Sequence, residues 1–121
     1  RATDEALFAQ GTAAYQENDY TTAFEAFQRI GDEAVGSPQE RWYYQGMAAA
    51  ELGNEEEATE ALKNLQEHLT PAYPHFDAQA AYKLVQLLPR EEARRYARRI
   101  VNQYGDTIYN NSVVQATLDE A

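Results

Sequence analysis

The sequence predicts an all-α solenoid of about three helix-turn-helix units followed by a C-terminal closing helix, and three observations predict it. Apolar side chains recur at three- and four-residue spacing in segments of about 12–15 residues, the mark of amphipathic helices, and no convincing strand interrupts them. Glycine and proline fall between those segments, at Gly36-Ser37-Pro38, Gly53-Asn54, Pro71 through Pro74, Pro89 and Gly105-Asp106. The pattern also repeats every 35 residues, since Gly11, Gly46 and Ala81 are spaced by that step.

In chain order, helices are expected over residues 4–17, 20–31, 38–52, 55–68, 75–88, 90–104 and 109–120. Pro38 suits the first turn of the third helix, where its missing N–H costs nothing, and Gly53 suits the end of that helix. Glu55, Glu56 and Glu57 favour the positive end of the fourth. Pro89 ends the fifth and permits the sixth to start. Linkers alternate between about two and about six residues, so short turns make antiparallel pairs and longer ones join pair to pair. The chain is expected to be a single domain, residues 1–121, with units at about 4–38, 39–73 and 74–108 and the closing helix at about 109–121.

Further columns obey the same step. Ala23, Ala58 and Ala93 align, as do Phe27, Leu62 and Ala97, then Ile30, Leu65 and Ile100, then Ala14, Ala49 and Leu84. Small residues at Gly11, Gly46 and Ala81 let the first helix of each pair approach its partner closely, and Ala23, Ala58 and Ala93 form the matching small face. Large apolar residues such as Phe27, Leu62 and Ile100 then fill the space between neighbouring pairs. One more step from Ala81 reaches Ala116, inside the last helix.

Composition bounds the function. With 121 residues, 44% hydrophobic and 12% aromatic, the chain can bury its own core. No run approaches the ~20 apolar residues of a membrane-spanning helix, so membrane insertion by this segment is not expected. The chain opens on Arg1, which suggests a processed form or a piece of something longer. Cysteine is absent, which removes disulfides and thiolate chemistry. A net charge of −10 argues against nucleic acid, where phosphate neutralisation by Lys and Arg supplies the affinity. That charge sits in residues 1–70, with 14 acidic against four basic side chains, while residues 71–121 carry six of each.

A two-helix repeat of this length with these columns resembles the tetratricopeptide repeat family. The likeness is clearest in LFAQGTAAYQENDYTTAFEAF, through Leu7, Gly11, Tyr20, Ala23 and Phe27, and nearly as good in WYYQGMAAAELGNEEEATEAL, through Trp42, Gly46, Leu52, Gly53, Ala58 and Leu62. The third unit departs: Asp77 stands where Trp or Leu is expected, Leu88-Pro89 replaces the Gly-Asn turn, and Ala97 takes the place of Phe27.

The resemblance implies a superhelix whose concave groove takes an extended peptide or a partner helix. It places Phe8, Thr12 and Tyr15, then Tyr43, Met47 and Ala50, then Ala78, Tyr82 and Val85 on that groove. The Lys and Asn set that clamps chaperone carboxylates in some members is missing, with Phe8, Thr12, Tyr43, Tyr44 and Met47 at those places. An acidic first half with an aromatic groove favours a neutral or basic protein or peptide. The expected function is therefore an interaction module or scaffold, and no enzyme. The alternative is a structural or assembly subunit docking through its convex face or ends. Tyr104-Gly105-Asp106-Thr107 is similar to turns in bacterial envelope members, which leans the location to the envelope or periplasmic side, with the cytoplasm as alternative.

No constellation points to catalysis or a cofactor. His68 and His75 flank a proline-rich turn without the ligand company zinc needs, so no metal is expected. The run from Arg90 through Arg99 interleaves Glu91 and Glu92 with arginines three and four residues on, which reads as a self-paired solvated face. The last helix, apolar at Val113, Val114, Ala116 and Leu118 and polar at Asn110, Asn111, Gln115, Asp119 and Glu120, reads as a one-sided cap, hence a monomer or part of a longer chain.

Overall fold

The apolar period produces helices where it predicts them. A computed structural model describes residues 3–30, 38–68 and 74–119. It contains α1 (Asp4–Gln16), α2 (Tyr20–Gln28), α3 (Pro38–Glu51), α4 (Glu55–Glu67), α5 (Pro74–Leu87), α6 (Arg90–Gln103) and α7 (Ser112–Leu118), and no strand among the described residues. The Gly36-Ser37 break, most of the Pro71–Pro74 break, Glu120 and the side chain of His75 lie outside the described residues. The chain divides into two compact units, residues 1–68 with α1 to α4 and residues 69–121 with α5 to α7.

In the first unit α1 pairs with α2 and α3 with α4, and α3 also packs on α2 and touches α1. The small-residue columns set these approaches. A Cβ added to Gly11 would come within 2.7 Å of the Phe27 ring, and one added to Gly46 within 2.7 Å of Leu62 Cγ and Cδ2. Ala23, Ala58, Leu62 and Leu65 are wholly buried beside them. Gly11 and Gly46 thus face Phe27 and Leu62 of their own pair, which corrects the expectation that Ala23 and Ala58 stand opposite them and that Phe27 and Leu62 only fill the space between pairs.

The two intra-pair turns are built alike. After α1, the Asn18 N–H donates to Tyr15 O (3.0 Å) and the Asp19 N–H to Ala14 O (2.8 Å); after α3, the Gly53 N–H donates to Ala50 O (3.1 Å) and the Asn54 N–H to Ala49 O (2.9 Å). This six-to-one and five-to-two pair is the Schellman closure, and it needs a left-handed residue, supplied by Asn18 (φ 64°) and Gly53 (φ 79°). Asn18 tolerates that conformation and accepts a hydrogen bond from the Tyr20 hydroxyl at 2.9 Å. At Gly53 nothing lies within 4 Å of an added Cβ, so only backbone strain opposes a side chain there. Gly53→Ala is expected to destabilise the first unit by about 1 kcal/mol, read as a lowered urea midpoint; an unchanged midpoint would contradict the turn described.

Helix starts follow side-chain capping. The Thr3 hydroxyl accepts from the Ala6 N–H at 3.1 Å and the Asp19 carboxylate from the Thr22 N–H at 3.2 Å. Asn54 makes no such bond, and the first turn of α4 instead carries Glu55, Glu56 and Glu57 at the positive end of its dipole.

In the second unit α5 pairs with α6, and α7 packs on both. Ala80, Ala81, Leu84, Ala97, Ile100 and Val114 are fully buried. The turn here departs from the other two, as its sequence does. The Leu88 N–H continues the helical pattern to Leu84 O (2.9 Å), and Pro89 (φ −57°, ψ 150°) starts α6 without a left-handed residue.

Several expectations are corrected. Helix α7 begins at Ser112 rather than 109, because residues 104–111 are held as turns: the Thr107 N–H donates to Tyr104 O, Asn110 Nδ2 to Gly105 O, and the Asn111 carboxamide caps Val113 and Val114. Ala116 keeps the period and lies inside α7 as expected, with its side chain exposed. The arginine run is not simply a solvated face. Arg90 donates from Nε to Thr117 O (3.3 Å) and from Nη2 to Ala116 O (3.2 Å), holding the end of α7, while Arg99 turns to Asp77. Helix α2 also stops at Gln28, short of residue 31, with Arg29 and Ile30 closing it through bonds to Glu25, Ala26 and Phe27 carbonyls.

Candidate functional site

Residues 8, 12 and 15 of α1 and 43, 47 and 50 of α3 each follow the i, i+4, i+7 spacing that forms one stripe along a helix. Direct contact of α1 with α3 brings the two helices together. Within the stripes the structure separates rings from smaller side chains. Phe8 meets Phe27 edge-on at 5.9 Å; Tyr15 meets Tyr20 at 5.6 Å and Tyr44 at 5.3 Å; Tyr44 stacks on Phe27 at 6.1 Å and meets Tyr43 at 5.2 Å. These six rings join the first hairpin to the second through offset and edge-to-face contacts.

Tyr43 is buried, at 5% exposure, so its ring serves the cluster and offers little free face. Phe8, Thr12, Tyr15, Met47 and Ala50 are half-buried. The Thr12 hydroxyl donates to its own helix, 3.1 Å from Phe8 O and Ala9 O, which leaves its lone pairs to accept from a ligand. Burial, reinforced by neighbouring Tyr20, raises the Tyr15 phenol above its ordinary pKa, and burial with the nearby Glu40 charge does the same at Tyr44. Both therefore stay neutral at physiological pH and present O–H groups rather than charge.

The other three predicted residues lie in the second unit. Ala78 and Val85 are buried there, and Tyr82 is half-buried against Tyr109 at 5.6 Å. Beside Ala78, Asp77 is buried at 1% exposure. It accepts a short hydrogen bond from the Tyr104 hydroxyl, and its Oδ2 lies 3.5 Å from Arg99 Nε, an ion pair. The Asp77 that breaks the repeat pattern is thus a polar tie between the start of α5 and the end of α6.

Sequence reasoning gave two contributors too little weight. Tyr44, named only among the places of the absent carboxylate clamp and in no periodic column, touches three other rings of the cluster. Asn18 could have been found, because it stands one 35-residue step before Gly53. Among the described residues no group of three or more His, Asp or Glu is arranged to hold a metal ion, and no helix is long and apolar enough to cross a membrane.

A family model described as tetratricopeptide repeat matches residues 5–35 and again residues 42–68. Each match spans one hairpin of the first unit, in phase with the columns and the paired turns. Comparisons with curated proteins and with solved structures find no match.

Proposed function

From the premise that the chain belongs to the tetratricopeptide repeat family, a non-catalytic fold that mediates protein–protein interaction and scaffolding, we propose that the first unit binds an extended peptide or partner helix along the stripes of α1 and α3. The observation that carries this reading is half-buried Thr12 on α1 and half-buried Met47 and Ala50 on α3, two helices in direct contact and tied by the ring cluster. A partner gains apolar area from Met47 and Ala50 and a hydrogen-bond acceptor from Thr12, and the scaffold needs little ordering on binding. The net charge of −10 over residues 1–70 favours a neutral or basic partner and speeds its encounter.

A library of extended peptides displayed on phage tests this. Binders selected on the parent should lose about tenfold or more in affinity on Met47→Glu/Ala50→Lys, with the thermal melt of that variant close to the parent's. Binders indifferent to the double change would overturn the stripe as the site. One observation favours the alternative of docking in an assembly through another surface: Ile108 is 81% exposed and Val113 42% exposed in the second unit. Selected binders that respond to Ile108→Ser instead would support it.

A further inference from the structure

Trp42 is the single tryptophan of the chain and stays out of the ring cluster. At about 100° per residue, it lies about 160° around α3 from Tyr44 and about 140° from Met47. Its indole packs instead on the His68 ring, centroids 5.1 Å apart. His68 is fixed in turn, with its Nδ1 donating to Asn64 O at 2.9 Å and its carbonyl accepting from Gln39 Nε2 at 2.7 Å. The indole is therefore a braced wall and not a loose surface ring.

Against that wall opens a cavity of about 220 Å³, lined by Trp42, Gln45, Glu57, Glu60, Ala61 and Asn64. Glu57 and Glu60 are exposed and three residues apart on α4, so their carboxylates share one face, and Asn64 follows one turn later. No lining residue is cationic. The chemistry of the lining selects its occupant. Two carboxylates exclude an anion. An apolar group would strand them, and among the described residues no third acidic or imidazole side chain joins the two carboxylates as a metal centre would need. A planar cation with several N–H donors satisfies every wall: its face lies on the indole, and its edge donates to carboxylates and to amide oxygens. Arginine meets that description better than lysine, whose compact, strongly hydrated ammonium cannot stack or fork.

We propose that this cavity receives an arginine side chain of a partner protein, its guanidinium laid on Trp42 and forked to Glu57 and Glu60. The site is on another face of α3 from the Met47–Ala50 stripe, so it stands or falls independently of peptide binding there. Charge complementarity with the acidic first half draws a basic segment to the same unit.

Trp42 itself reports the test, because its emission has no competing tryptophan. The probes are a blocked Gly-Ser-Arg-Ser-Gly peptide and the same peptide with citrulline, which keeps the shape and removes the charge. The arginine peptide should change Trp42 emission saturably, weaken on adding salt, and bind roughly tenfold tighter than the citrulline peptide. Glu57→Gln/Glu60→Gln should lose about the same factor. Glu55→Gln/Glu56→Gln, with equal net charge but outside the cavity, should bind like the parent. Equal binding of the two peptides, equal loss in both glutamine pairs, or no saturable change in Trp42 emission would each overturn the assignment. All four glutamates are exposed, and matching thermal melts of the variants and the parent confirm that the comparison is between folded proteins.

Discussion

Replacing Gly46 with leucine will destabilise the first unit by about 3 kcal/mol, the upper part of the range for overpacked cores. Even a Cβ at this position would stand 2.7 Å from Leu62 Cγ, an atom near the backbone and not the free end of a flexible chain. A leucine adds three more carbons to that contact, and α4 cannot retreat without opening the wholly buried faces of Ala58 and Leu65. Helix propensity works the other way, because glycine inside a helix costs about 1 kcal/mol relative to better formers. Sterics win because the contact is far inside van der Waals distance. Leu62→Ala alone should also destabilise, by about 2–5 kcal/mol, through the cavity it leaves. Combined, the two should cost at least 0.5 kcal/mol less than their sum, since each relieves the other's fault. Urea denaturation followed through Trp42 emission measures this unit directly. A Gly46→Leu midpoint equal to the parent's, or strict additivity, would mean that the register of α3 on α4 is not the one described.

Asp77→Ala should cost the second unit about 3 kcal/mol, as expected when one member of a buried polar group is removed and the others are left behind. The carboxylate is 1% exposed, and without it the Tyr104 hydroxyl loses its acceptor and Arg99 its counter-charge. Arg99 keeps 24% side-chain exposure and can turn to water, which holds the loss below the top of the usual range. Tyr104→Phe keeps the ring packing, removes one hydrogen bond, and should cost only about 1 kcal/mol.

The same group gives the unit an alkaline limit. Burial first, then the hydrogen bond to Asp77 and its charge, raise the Tyr104 phenol above its ordinary value of 10.0. A raised folded-state pKa means that this contribution to stability is complete below about pH 10 and is lost as pH climbs toward the folded value. Melting curves by circular dichroism across that window should fall for the parent and fall less for Tyr104→Phe. Parallel curves for the two proteins would remove Tyr104 from the account.

Much of this fold was legible because one constraint recurs every 35 residues. A small residue recurring at that step marks where two helices close on each other, so Gly11 and Gly46 could be placed at close contacts by counting, but counting set Ala23 and Ala58 opposite them where the structure sets Phe27 and Leu62. The stripes of α1 and α3 were legible for the same reason, as helical spacing places Phe8, Thr12 and Tyr15 on one face. What counting could not supply was burial. Tyr43 and Met47 share a stripe, yet Tyr43 is buried and Met47 half-buried, a difference set by neighbours that the stripe does not contain. Asp77 was visible as a misfit, but its partners Arg99 and Tyr104 lie 22 and 27 residues away and meet it only once α6 folds back on α5. Period alone does not give burial at Ala116 either, which lies inside α7 as counted but is exposed.

The grip of Arg90 on the last carbonyls of α7 bears on how the protein breathes. A helix of seven residues is far below the ~12–15 needed to persist alone. Helix α7 therefore owes its existence to Val114 in the core, the Asn111 cap and that one guanidinium. Its amides should exchange with solvent together, as a small cooperative element that opens and recloses while α5 and α6 stay protected. The second unit is thus graded from within, with a durable helical pair and a terminal segment that one arginine keeps in place.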